Sequence, residues 1–194
     1  MKLRARLFAG ALALLAALPS TAPKADEAAL AALKAGGQVM IVRHGLTTPG
    51  SGDPKNFKLD DCATQRNLVE EGREQSRKLG RLLRERGIIV ERVLSSRWCR
   101  AQETARLIDA GEVGLLAASD NLYGRPAQRD AQVRELRAAI GAWNGKGTLL
   151  VVTHGSVIFP LTGTSPREAE GFVLKPAPGT AEGFVIIGKI GPKG

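Results

Sequence analysis

Histidine, cysteine and aromatic side chains are scarce in this chain. Its 194 residues include two histidines, two cysteines and one tyrosine, and aromatics make up 4%. So few rings exclude a platform on which nucleic-acid bases could stack. The basic residues are also dispersed, with Arg73, Arg77, Lys78, Arg81, Arg84 and Arg86 spread along one predicted helix, the pattern of a solvated face. Cys62 and Cys99 form no CxxC or Cys/His spacing that would suggest a metal site, and the chemistry of the two histidines is expected to need no metal or organic cofactor. No internal repeat appears. The longest apolar run, Leu7 to Leu18, is shorter than the roughly 20 residues that span a bilayer.

The 43% apolar and 24% charged content suits one buried core. Lys2, Arg4 and Arg6 precede the Leu7–Leu18 run, and Pro19-Ser20-Thr21-Ala22 follows it, the order of a signal peptide. The expected organisation is therefore a signal peptide over 1–22, cut between 22 and 25, and a single domain over 26–194. Pro23 disfavours cleavage directly after Ala22, and Ala25 offers the competing site. No membrane span remains after cleavage, and the location is periplasmic or secreted. Losing three basic residues takes the formal net charge from +9 to +6, so the remainder still suits anionic ligands. In an exported chain, an even cysteine count points to a disulfide.

Strand-like and helix-like segments alternate. A short helix over Ala28–Lys34 ends at Gly36-Gly37, and Val39 to Arg43 is the first strand. A polar loop follows from Thr47 to Arg66, and a loop of that length in a compact domain is usually functional. Asn67 with Glu70 resembles a capping box opening a helix that stops at Gly87. Ile88–Leu94 is a strand, Ala101–Ile108 a helix, and Val113–Ala118 a third apolar piece. Pro126 suits the first turn of a helix reaching Ile140, and Thr148–Thr153 is a further strand. Phe172–Leu174 and Phe184–Ile190 read as antiparallel strands at one sheet edge. The fold class is α/β, a three-layer sandwich whose central sheet is mostly parallel with helices on both faces.

Both histidines, His44 and His154, stand directly after a predicted core strand and directly before a glycine. In a parallel sheet both emerge at the carboxyl edge, where such folds bind ligands. Arg43 lies beside the first, and a third strand ending, Val93-Leu94-Ser95-Ser96, delivers Arg97 and Arg100 to the same edge. Arginine forks around two imidazoles and a helix N-terminus make a receptor for a dianion, most plausibly phosphate. A neutral imidazole can also attack phosphorus, which splits one displacement into two.

These residues resemble the histidine phosphatase superfamily, also called phosphoglycerate mutase-like. The resemblance rests on Arg43-His44-Gly45, on Ser95-Ser96-Arg97-Trp98-Cys99-Arg100-Ala101-Gln102-Glu103-Thr104-Ala105, on Val152-Thr153-His154-Gly155, and on the helix opening Asn67 to Gln75. It implies that His44 is the nucleophile, that Arg43 and Arg100 bind the phosphoryl group, and that His154 completes the pocket. Arg97 is a further candidate phosphate ligand. For the proton donor it points to Asp120, with Glu170 as a second candidate. It also helps place the cysteines, since a Cys62–Cys99 bridge would tie the long loop to the pocket floor. The implied activity is metal-independent hydrolysis of a phosphorylated small molecule or envelope component through a phosphohistidine. A non-catalytic phosphate-binding module and a protein phosphohistidine phosphatase remain alternatives.

Overall fold

The computed structural model describes residues 24–192; the signal segment expected at 1–22 lies outside them. Eleven principal elements follow in order: α1 (Lys24–Ala35), β1 (Val39–Arg43), α2 (Glu70–Glu85), β2 (Val90–Ser95), α3 (Cys99–Ile108), β3 (Val113–Leu115), α4 (Arg129–Gly141), β4 (Thr148–Thr153), α5 (Gly155–Thr162), β5 (Gly171–Pro176) and β6 (Phe184–Ile190). They build one six-stranded sheet in the order β3-β2-β4-β1-β5-β6. The first four strands in that order are parallel, and β5 and β6 run antiparallel at one edge, as the sequence pattern indicated.

Side-chain alternation in β1 and β4 assigns the layers. Met40, Val42, Leu150 and Val152 pack with Leu33, Leu79, Leu83 and Ile108 from α1, α2 and α3. Val39, Ile41, Leu149 and Val151 point the other way, onto Leu136, Ile140, Val157 and Ile158 from α4 and α5. Because successive strand residues face opposite sides, the apolar run Val39–Val42 serves both cores at once, which is why it is continuously hydrophobic.

Two local expectations shift, and one helix, α5, has no counterpart among them. The helix after the long loop begins at Glu70 with Val69 as its N-cap and no side-chain cap bond; Asn67 instead donates to the Cys62 carbonyl at 2.7 Å. Pro126 opens a short 3-10 turn, Pro126–Gln128, and α4 starts only at Arg129. Helix α5 has no helical signature in its sequence, since Val157, Ile158, Phe159 and Pro160 favour extended chain. It is short, and burial of Val157, Ile158 and Leu161 against the sheet outweighs that propensity.

Tight backbone approach explains the glycine after the first histidine. A Cβ on Gly45 would stand 2.3 Å from the Gly72 carbonyl, and one on Gly72 would stand 2.0 Å from the Leu46 carbonyl. Helix α2 therefore lies directly on the chain leaving β1 and fixes its direction. Gly72→Ala must push the two backbones apart, and we expect a loss of about 2–3 kcal/mol, the scale of overpacking a close contact, measured by urea denaturation.

Candidate active site

Adjacency of β1 and β4 brings the two histidines together. Arg43 pairs in register with Thr153, and the His44 N–H donates to the Thr153 carbonyl at 2.9 Å. The imidazole centroids lie 5.1 Å apart, and both rings are buried. The Nδ1 of His44 sits 2.8 Å from the Gly45 carbonyl, which can only accept, so Nδ1 carries the proton. The lone pair is then on Nε2, where the Arg100 Nε–H donates to it at 3.3 Å.

Strand β2 ends at Ser95, and the turn after it supplies Ser96 and, in the first turn of α3, Arg100. Ser96 Oγ lies 2.8 Å from Nε2 of His154. Helix α5 starts immediately after His154, so the N–H groups of Gly155 and Ser156 have no acceptor within the helix, and both residues line the same cavity. That cavity measures about 260 Å³ and is also lined by Arg43, His44, Arg66 and Arg100. Three buried nitrogens of its lining residues, the donors Arg43 Nε and Arg66 Nε and the ring atom His154 Nδ1, have no hydrogen-bond partner among the described residues.

Arg66 is the functional residue that the sequence pattern did not single out. It closes the long loop, its Nη1 donates to the Gly50 carbonyl, and among the described residues it forms no ion pair. The only signal available was its position just before the Asn67–Gln75 block. Asp53 was equally silent. It accepts from Arg100 Nη1 at 2.6 Å and Nη2 at 3.2 Å, from the Arg66 N–H at 3.1 Å and from Trp98 Nε1 at 3.0 Å. One edge of the Arg100 guanidinium is thus occupied by Asp53, while Nε faces His44. Arg43 is paired similarly, with Glu168 at 2.8 Å.

Three candidates, Arg97, Asp120 and Glu170, fall outside the cavity. Arg97, considered as a phosphate ligand, turns away and grips Asp120 instead: its main-chain N–H donates to Oδ1 at 2.9 Å and its Nε to Oδ2 at 2.7 Å. Asp120, considered as the acid, is accordingly held on Arg97 and does not line the pocket. Glu170 pairs with Arg167, also away from the site. His44, His154, Arg43 and Arg100 do converge.

The disulfide joins Cys62 to Cys99, with Cα atoms 5.7 Å apart. It pins a 3-10 turn of the long loop to the first residue of α3, whose N–H is capped by Gln65 Oε1 at 3.0 Å. The bridge closes 37 residues. Cys62→Ser with Cys99→Ser is expected to cost about 4 kcal/mol in the chain-entropy account, and to weaken phosphate binding because Asp53 and Arg66 ride on the released loop; denaturant titration and phosphate calorimetry read the two effects.

Burial holds both imidazoles neutral. The His44 pKa is pushed down to about 3, first by desolvation and then by the charge of Arg100, with the Gly45 carbonyl opposing. His154 is also well below its usual range, from burial and then its charged neighbours. Burial would raise the Asp53 carboxyl, but the hydrogen bonds and charge of Arg100 outweigh it and bring the net value down. Arg66 is lowered by burial and then by the Arg100 charge, the signature of a site short of negative charge. Between pH 6.5 and about 3 the unfolded chain binds protons on His44 that the folded chain refuses, so stability falls with falling pH. Each such histidine contributes up to about 1.4 kcal/mol per pH unit. We expect the melting temperature to drop from pH 7 to pH 5, with a shallower slope in His44→Gln; an unchanged slope would place the linked protons elsewhere.

The family model for the histidine phosphatase superfamily (branch 1) matches residues 39–122, from β1 through the segment beyond Asp120. No curated protein matches the sequence. The structure of the protein histidine phosphatase SixA complexed with tungstate superimposes with a TM-score of 0.58 at 19% identity, covering 80% of this chain and 97% of that one. Phosphoserine phosphatase from Entamoeba histolytica, in complex with 3-phosphoglyceric acid, gives 0.54 at 14% identity, covering 78% and 95%. At these identities the likeness is one of fold. The motif-bearing match over β1, α2 and α3, and a fold that returns His154 to the side of His44, together support assignment of this chain to the histidine phosphatase superfamily.

Proposed function

We propose that the protein is an exported phosphomonoesterase that hydrolyses its substrate through a phosphohistidine on His44, without a metal ion. The observation that carries this reading is the unprotonated Nε2 of His44 facing a cavity lined by two arginines whose buried Nε–H donors have no partner among the described residues. A phosphoryl group in that cavity would take up the Arg43 and Arg66 Nε–H donors, and the first N–H groups of α5 would add to them. Export is supported by the N-terminal pattern and is consistent with the disulfide.

In the first step the Nε2 lone pair attacks phosphorus and the bond to the leaving group breaks. Arg100 Nε gives up His44 and turns to a phosphoryl oxygen, while the Gly45 carbonyl steadies the positive charge that develops on the ring through Nδ1–H. Water then attacks phosphorus, the N–P bond breaks, and inorganic phosphate leaves as His44 regains its lone pair.

The test is hydrolysis of para-nitrophenyl phosphate by wild type, His44→Ala and Arg100→Ala, each with chelator present. The wild type should turn over unaffected by chelator. His44→Ala should lose at least about 10⁴-fold in kcat, the scale of removing a nucleophile. Arg100→Ala should lose about 10²–10³-fold, the scale of one charge-stabilising donor. Absent turnover, with inorganic phosphate still raising the melting temperature, would make the chain a binding module instead.

A further inference from the structure

Among the residues lining the cavity, Asn121 brings the one side-chain amide. Its neighbour Asp120 has extended backbone, so the two side chains point apart: that of Asp120 turns to Arg97, and Asn121 lines the cavity. The chain here is pinned on both sides. Thr153 Oγ1 donates to the Ser119 carbonyl at 2.6 Å, and Gln132 Nε2 donates to the Asp120 carbonyl at 2.5 Å.

The carboxamide is held by its oxygen alone. Oδ1 accepts the Tyr123 main-chain N–H at 3.1 Å and the Ser156 hydroxyl at 2.8 Å, while Ser156 Oγ accepts the Leu122 N–H at 3.2 Å. A main-chain N–H can only donate, so the atom facing it is the oxygen, and the NH₂ group takes the other direction. Nδ2 donates to no acceptor among the described residues. Asn121 is only 6% exposed and lines the cavity, so a buried amide with free N–H groups meets the space that a phosphoryl group would enter. Burial without an acceptor is unfavourable for such a group, and a ligand oxygen would relieve it.

Resting on the phosphohistidine mechanism above, we propose that Asn121 is a further catalytic residue, whose Nδ2–H donates to a non-bridging oxygen of the phosphoryl group as it passes to and from His44. In such a transfer, charge is spread over three equatorial oxygens. Arg43, Arg66 and Arg100 come from β1, the long loop and α3, whereas Asn121 is tied to Ser156 in the first turn of α5. It therefore serves the oxygen received by the N-terminus of that helix. A neutral amide adds a donor there without adding charge to a site where Arg66 is already unmatched, and it has no proton to give, so its contribution is electrostatic.

The experiment compares wild type, Asn121→Asp and Asn121→Ala in three measurements: kcat/KM for para-nitrophenyl phosphate, calorimetric affinity for inorganic phosphate, and melting temperature. Asn121→Asp is decisive because it keeps the shape and the oxygen that holds Tyr123 and Ser156, and replaces only the free donor with a charged acceptor. We expect kcat/KM to fall about 10²-fold in Asn121→Ala, the scale of losing one charge-stabilising donor, and at least about 10³-fold in Asn121→Asp. Phosphate affinity should weaken in the same order. The melting temperature of Asn121→Asp should stay within about 4 °C of wild type, the range of a small stability change in a domain of this size. A residue that merely anchors the chain gives the reverse order, with Asn121→Asp like wild type and Asn121→Ala impaired; that result would overturn the proposal and leave the phosphohistidine mechanism standing. Turnover above wild type in Asn121→Asp would make the position a seat for a proton donor and would overturn it equally. Absent turnover in all three would overturn the catalytic role together with the mechanism, and phosphate affinity unchanged in Asn121→Asp would overturn the contact itself.

Discussion

Three guanidinium groups surround two buried neutral imidazoles, and the rest of the molecule is arranged to hold that positive charge in place. Two of the three are matched by carboxylates, Arg43 by Glu168 and Arg100 by Asp53. Arg66 is not, and its charge is the surplus that an entering phosphoryl dianion meets. The Arg100–Asp53 pair is almost fully buried, at 2% and 3% exposure, so neither partner could persist there alone. The same positive field, with desolvation as the larger part, keeps His44 unprotonated and therefore nucleophilic.

The long loop is ordered because it carries half of this arrangement. Gln65 caps α3 and ties back to the Lys58 and Leu59 carbonyls, Asp61 caps the short turn at Cys62, and the disulfide fastens that turn beside Arg100. These bonds run from side chains to backbone rather than through a hydrophobic core, which suits a segment that must present Gly50, Ser51, Gly52 and Arg66 at a polar cavity.

Much of the fold was legible in the sequence because burial on both faces writes itself as a run of apolar residues. Val39–Val42 and Thr148–Thr153 are unambiguous for that reason, and so is the edge where His44 and His154 emerge. Helix α5 was illegible, since its β-branched residues and Pro160 oppose the conformation that packing imposes. The start of α2 was misplaced by a cap-like Asn67 whose amide binds the loop instead.

Within the site the division follows range. Local order determined that Arg43, His44, Arg100 and His154 would share one crevice, because each ends or directly follows a strand or lies in the first turn of a helix whose direction is set by its neighbours. Ion pairing was decided by the tertiary structure alone. Arg97 and Asp120 lie 23 residues apart, and Arg100 and Asp53 lie 47 apart. Nothing in the intervening sequence states which charge will meet which, since an arginine reaches whichever carboxylate the fold delivers. Arg66 was thereby left to the cavity and Asp120 was taken out of it.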